Sequence, residues 1–169
     1  MTYDEEPLAD NAIAWALARV GDTAYATRCL AFVEDAIERS NSLEVFGGDD
    51  AAESARLYAA PGRTTAPPRG ALAFYAATGV ILDQRREWGH VGLSLGDGRV
   101  VHAWDRVRVD AWQAVEELTP APGWSAPRWL GWAPLGRVLE GSRPRRWDED
   151  PAAAAARMQT ERFSRGTDG

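Results

Sequence analysis

Residues 60–70 read APGRTTAPPRG, and this stretch divides the chain into two halves of different periodicity. Pro61, Pro67 and Pro68 each lack an amide N–H and would clash with a preceding helical turn, so no helix crosses the segment. Before it, apolar residues recur at helical spacing. A helix is predicted over 10–20, capped by Asp10 or Asn11, with Ile13, Leu17 and Val20 as its stripe and Gly21 as its stop. A second is predicted over 28–39, with Thr27 as N-cap and Leu30, Val33 and Ile37 facing the core. A third covers 49–59, DDAAESARLYA.

After the proline segment the pattern is that of strands. GALAFYA at 70–76 is a short apolar run bounded by turn residues. HVGLSL and RVVHAW form a hairpin across Gly96-Asp97-Gly98. RVRVD at 106–110 alternates strictly, and WLGWAPL at 129–135 reads as a last strand. Helices first and strands second imply an α+β fold, with N-terminal helices packed on a central antiparallel β-sheet. Residues 1–9 are expected to be an extension and 10–140 the single domain. Residues 141–169, polar and arginine-rich, are expected to be a loose tail that adds little to the core.

The formal net charge is -6, and all nineteen basic residues are arginine. That balance argues against a nucleic acid or anionic membrane as partner. No apolar run reaches membrane-spanning length, and MTYDEEPLAD lacks the basic start and apolar stretch of a signal peptide. A single cysteine makes no internal disulfide. A cytoplasmic location is the expectation.

The chemistry-bearing residues are few. Cys29 is the only cysteine, and His90 and His102 are the only histidines. The predicted helix puts Cys29 in its first turn, where free N–H groups, the dipole and neighbouring Arg28 should lower the thiol pKa. Both histidines flank one turn. With a three-residue loop, His102 lies opposite Gly92 and shares a face with His90. With a two-residue turn, the histidines fall on opposite faces, and the local sequence allows either. One thiol and two imidazoles match a nucleophile, a base and a group that orients the base. A closed zinc site would need a fourth ligand at no recognisable spacing, so neither metal nor other cofactor is expected.

GHVGLSLGDGRVVHAW closely resembles the His motif of the NlpC family of papain-like cysteine peptidases, the NlpC and p-sixty superfamily. RCLAFVEDAI resembles that family's nucleophile helix and also the corresponding segment of the related CHAP amidases. PPRGALAFYA resembles the strand before the His motif. The resemblance covers about residues 10–135. It implies a papain-like fold, Cys29 as nucleophile, His90 as base and His102 as the orienting residue, with both histidines on one face. It implies a cysteine hydrolase, an amidase or peptidase acting on a small peptide or amide through a thioester. The family's usual substrate is a peptidoglycan peptide. An acyltransferase or amide synthase using the same site is the alternative activity, and a degenerate binding domain a third reading. Arg28 suits a substrate carboxylate, Trp104 adjoins the second histidine motif, and Tyr25 matches a nearby family tyrosine; these are the secondary candidates for substrate contact. Arg28, Leu30 and Ala31 stand where the family has Asp and Ser-Gly around the cysteine, so the positions that read the substrate differ.

Overall fold

In a computed structural model, which describes residues 4–148 and 151–164, helices flank a central antiparallel sheet. Helix α1 (Glu5–Leu17) starts earlier than its predicted boundary, because Asp4 caps it by accepting from the Glu6 N–H. Its buried face is Ala9, Ala12, Ile13 and Ala16, while Leu17 and Val20 are exposed. Small side chains let α1 lie close against α2 (Cys29–Asn41). The two run antiparallel: Trp15 meets Phe32 at 6.1 Å, and Asn41 Nδ2 donates to the Leu8 carbonyl. On α2, Leu30, Val33 and Ile37 are buried as the spacing predicts.

A two-residue strand β1 (Leu43–Glu44) leads to α3 (Ala51–Leu57), whose N-cap Asp50 accepts from the Glu53 N–H at 2.8 Å. The main sheet comprises β2 (Leu72–Ala76), β5 (His90–Ser94), β6 (Arg99–Ala103), β7 (Val107–Ala111) and β8 (Arg128–Ala133). Its order is β7-β6-β5-β2-β8, every neighbour antiparallel. All five residues of the central β5 are buried. One face packs on the helices through Phe74, Val91, Leu93 and Val101. The other carries a smaller cluster of Ala73, Tyr75, Val100 and Val115, with Trp112 and Trp129 against it.

Several elements differ from the sequence reading. Between β2 and β5 lies a second hairpin, β3 (Thr78–Ile81) with β4 (Gln84–Glu87). Its turn residues, Leu82 and Asp83, both hold positive φ. That is the conformation Asn-Gly usually signals, so Leu-Asp gave no cue. The predicted last strand ends at Ala133, and Pro134 caps α4 (Leu135–Leu139).

The expected loose tail is structured over its described residues. β9 (Arg143–Pro144) pairs with β1, and α5 (Pro151–Ser164) buries Ala154, Ala155 and Phe163. Phe163 lies 4.6 Å from the ring of Trp88, and the Trp147 indole donates to the Leu43 carbonyl. The polar composition had hidden three apolar contacts that suffice to dock a helix. Among the described residues, no helix is long and apolar enough to cross a membrane.

Candidate active site

Helix α2 begins at Cys29 because the preceding loop turns back on itself. Thr27 holds φ 65, so it is not the predicted N-cap; that position is Arg28, which makes no side-chain capping bond. The first-turn N–H groups therefore lack a side-chain acceptor from the cap. The N–H groups of Cys29, Leu30 and Val91 all favour a charged sulfur, but burial outweighs them and pushes the thiol up to about 11. This reverses the expected lowering: desolvation of the half-buried sulfur exceeds the helix N-terminus in effect. The Arg28 Nη1 donates to the Ala24 carbonyl.

The hairpin takes the three-residue form: the Leu95 N–H donates to the Arg99 carbonyl at 2.9 Å, and Gly92 is paired with His102. The histidines consequently share a face. His90 Nε2 and His102 Nδ1 are 2.8 Å apart, and both residues are buried. A Cβ on Gly92 would come within 3.2 Å of the His102 Cβ, so the missing side chain leaves room for the pair. Gly89, at φ +76, brings the start of β5 against α3, where any Cβ would meet the Ala52 nitrogen at 2.6 Å. This close approach fixes His90 relative to the rest of the cleft wall.

His102 Nε2 lies 2.8 Å from Asp110 Oδ2, and Arg108 Nε donates to the same oxygen at 2.8 Å. Burial drives His90 well below the ordinary imidazole value, with repulsion from His102 adding to it. Burial also lowers His102, although Asp110 opposes the shift. The Asp110 carboxyl is held down at about 2, first by its hydrogen bond to His102 and then by Arg108. At neutral pH the chain of contacts thus joins two neutral imidazoles to a carboxylate. Sequence reasoning treated Asp110 only as the end of a strand. Alternation puts Asp110 on the same face as Arg108, but only the β6–β7 register, which pairs Arg108 with His102, brings it to the histidine.

Cys29 and His90 line one cleft of about 440 Å³. Trp88, Trp104 and Phe163 contribute aromatic walls, and Met158 and Gln159 of α5 close one side. Trp104 stands edge-on to His90 at 5.0 Å, while its indole donates to the Thr119 carbonyl. Arg28 also lines the cleft. Tyr25 does not: it is buried, its hydroxyl donates to Asp35 Oδ2 at 2.8 Å, and its ring packs on Phe32. The expected substrate contact at Tyr25 is thereby replaced by a core role, because its only polar atom is already committed. Two carboxyls of α2 that the sequence did not single out, Glu34 and Glu38, face the cleft. Burial pushes each up to about 8, and Glu34 Oε1 has no hydrogen-bond partner among the described residues. No group of three or more His, Cys, Asp or Glu among the described residues is arranged to hold a metal ion.

The chain matches no protein-family model and no curated protein.

Proposed function

We propose that the chain is a cysteine amidase or peptidase with a papain-like fold of the NlpC type, acting on a small peptide or amide. The observation that carries this reading is the meeting of Cys29 and His90 in one cleft, with His90 Nε2 bonded to His102 so that Nδ1 remains for the thiol. The Val91 N–H, from the residue next to His90, is among the groups that favour a charged Cys29 sulfur. The helix start at the edge of β5 and the antiparallel order of the strands support the papain-like assignment.

The resting site holds a thiol and a neutral imidazole, because burial raises Cys29 and lowers His90. Proton transfer therefore accompanies attack. As the sulfur forms its bond to the substrate carbonyl carbon, the Cys29 proton passes to His90 Nδ1. The tetrahedral oxyanion lies by the uncapped first turn of α2, where the Cys29 N–H serves as a donor. The C–N bond then breaks, and His90 returns the proton to the leaving amine. A water molecule attacks the thioester with His90 again as base, releasing the acid and restoring the thiol. If an amine replaces water in the second half, the same site performs acyl transfer. The peptide-sized, aromatic-walled cleft suits a short peptide, including one of the cell-wall type.

The test uses p-nitrophenyl acetate as a generic acyl donor. Wild-type protein should gain one acetyl group on Cys29, located by mass spectrometry of its peptides. Cys29→Ala should gain none, and His90→Ala should acylate on the order of 100- to 10,000-fold more slowly. An adduct elsewhere, or equal rates with and without His90, would overturn the reading.

A further inference from the structure

The contacts beyond the histidine pair have a direction. Asp110 accepts a fork from Arg108, Nε to Oδ2 at 2.8 Å and Nη2 to Oδ1 at 3.3 Å, and Oδ2 also faces His102 Nε2 at 2.8 Å. An ionised carboxylate only accepts hydrogen bonds. The proton between Asp110 and His102 must then sit on His102 Nε2. A neutral imidazole carries one proton, so His102 Nδ1 presents a lone pair to His90 Nε2, 2.8 Å away. The proton in that second bond must belong to His90 Nε2, and the lone pair of His90 falls on Nδ1. Reversing either ring would set two lone pairs against each other within hydrogen-bond distance.

We propose that Asp110 is a positioning residue that fixes the tautomers of both histidines through two successive hydrogen bonds, so that His90 offers an unprotonated Nδ1 to the Cys29 thiol. The role rests on the cysteine-hydrolase reading, but the tautomers do not. The surroundings leave few competitors. Asp105, the other carboxylate near His102, is engaged by Arg106 and Arg108. Around His90 stand His102 and the rings of Tyr75 and Trp104, and the Tyr75 hydroxyl donates to the Trp112 carbonyl. Asp110 is held in place by a strand whose register pairs Val100 with it. The carboxylate is ionised well below neutral pH, which keeps the direction of the chain constant through the working range.

Nitrogen-15 NMR of histidine-labelled protein reads the tautomers directly, and with two histidines the spectrum is assigned by one substitution. At pH 7 the wild type should carry its proton on Nε2 of both rings. Asp110→Ala should convert a substantial share of His102, and with it His90, to the Nδ1-protonated form. Asp110→Glu should restore the wild-type pattern. Arg108→Ala, which disturbs the same strand but keeps the carboxylate, should leave the tautomers unchanged. Should Asp110→Ala fail to fold, Asp110→Leu, of similar size and with no acceptor, gives the same readout. Acylation by p-nitrophenyl acetate should fall about 10- to 100-fold in Asp110→Ala and recover in Asp110→Glu. Wild-type tautomers persisting without the carboxylate, or an equal loss in Arg108→Ala, would overturn the proposal. Correct tautomers in a protein that never acylates Cys29 would leave Asp110 its role and remove the hydrolase reading instead.

Discussion

At the residue scale, the two histidines are chemically alike and differently employed. His90 faces the cleft that holds Cys29, whereas His102 is fully buried between His90 and Asp110. Replacing His102 by alanine leaves both neighbours without their partner. Replacing it by asparagine supplies an acceptor and a donor on a shorter stem, so one of the two bonds can form again. His102→Asn is therefore expected to keep at least several-fold more acylation activity than His102→Ala, with both above His90→Ala. Steady acylation rates on p-nitrophenyl acetate, with melting temperatures measured alongside, check this order. Equal activity in His102→Ala and wild type would make the second histidine a packing residue only.

At the scale of elements, the site is assembled by one helix start and one hairpin, and the C-terminal helix completes its wall. Removing α5 uncovers Trp88 and loses the burial of Phe163. Burying one large apolar side chain is worth about 1.5–3 kcal/mol. A chain ending at Glu140 should melt several degrees lower, at about 2–4 °C per kcal/mol for a domain of this size. Its tryptophan emission should shift to the red. An unchanged melting temperature would show that α5 only rests on the surface.

The same elements divide what the sequence could tell from what it could not. The hairpin of His90 and His102 was legible because Gly-Asp-Gly and alternation are local signals, although the local sequence alone left its two registers open. The start of α2 was legible to within a residue of Cys29. The β3–β4 hairpin was not, since a Leu-Asp turn and the polar QRRE strand carry no apolar period. Nor was Asp110, because its meaning depends on a diagonal contact across two strands. The direction of the Cys29 shift was misread for a related reason. A helix start and a neighbouring arginine are visible in the sequence, but the desolvation that outweighs them comes from distant segments folding over the cleft.

At the scale of the whole molecule, the cleft carries a cost in buried carboxyls. Glu34 and Glu38 have folded values of about 8, above their ordinary 4.5. A carboxyl with a raised folded value leaves the protein most stable when protonated in both states. Stability is then expected to fall as pH rises from about 4.5 to about 8, and to level off above. Glu34→Gln removes one such titration. It should be near neutral at pH 4.5 and stabilising at pH 8.5, by about 2–4 °C in melting temperature for each kcal/mol recovered. A substitution with the same effect at both pH values would place Glu34 in a wetter site than its buried Oε1 indicates.

In the proposed mechanism, His90 takes the proton from a neutral Cys29 thiol during attack. The most direct measurement is the rate of Cys29 acetylation by p-nitrophenyl acetate from pH 6 to pH 9, in wild type and in His90→Ala. With a thiol value of about 11 and His90 unprotonated throughout, the wild-type rate should be nearly flat across this range. Without His90 only the free thiolate reacts, so the rate should climb about tenfold per pH unit. Parallel profiles of equal slope in the two proteins would show that His90 takes no proton from the thiol.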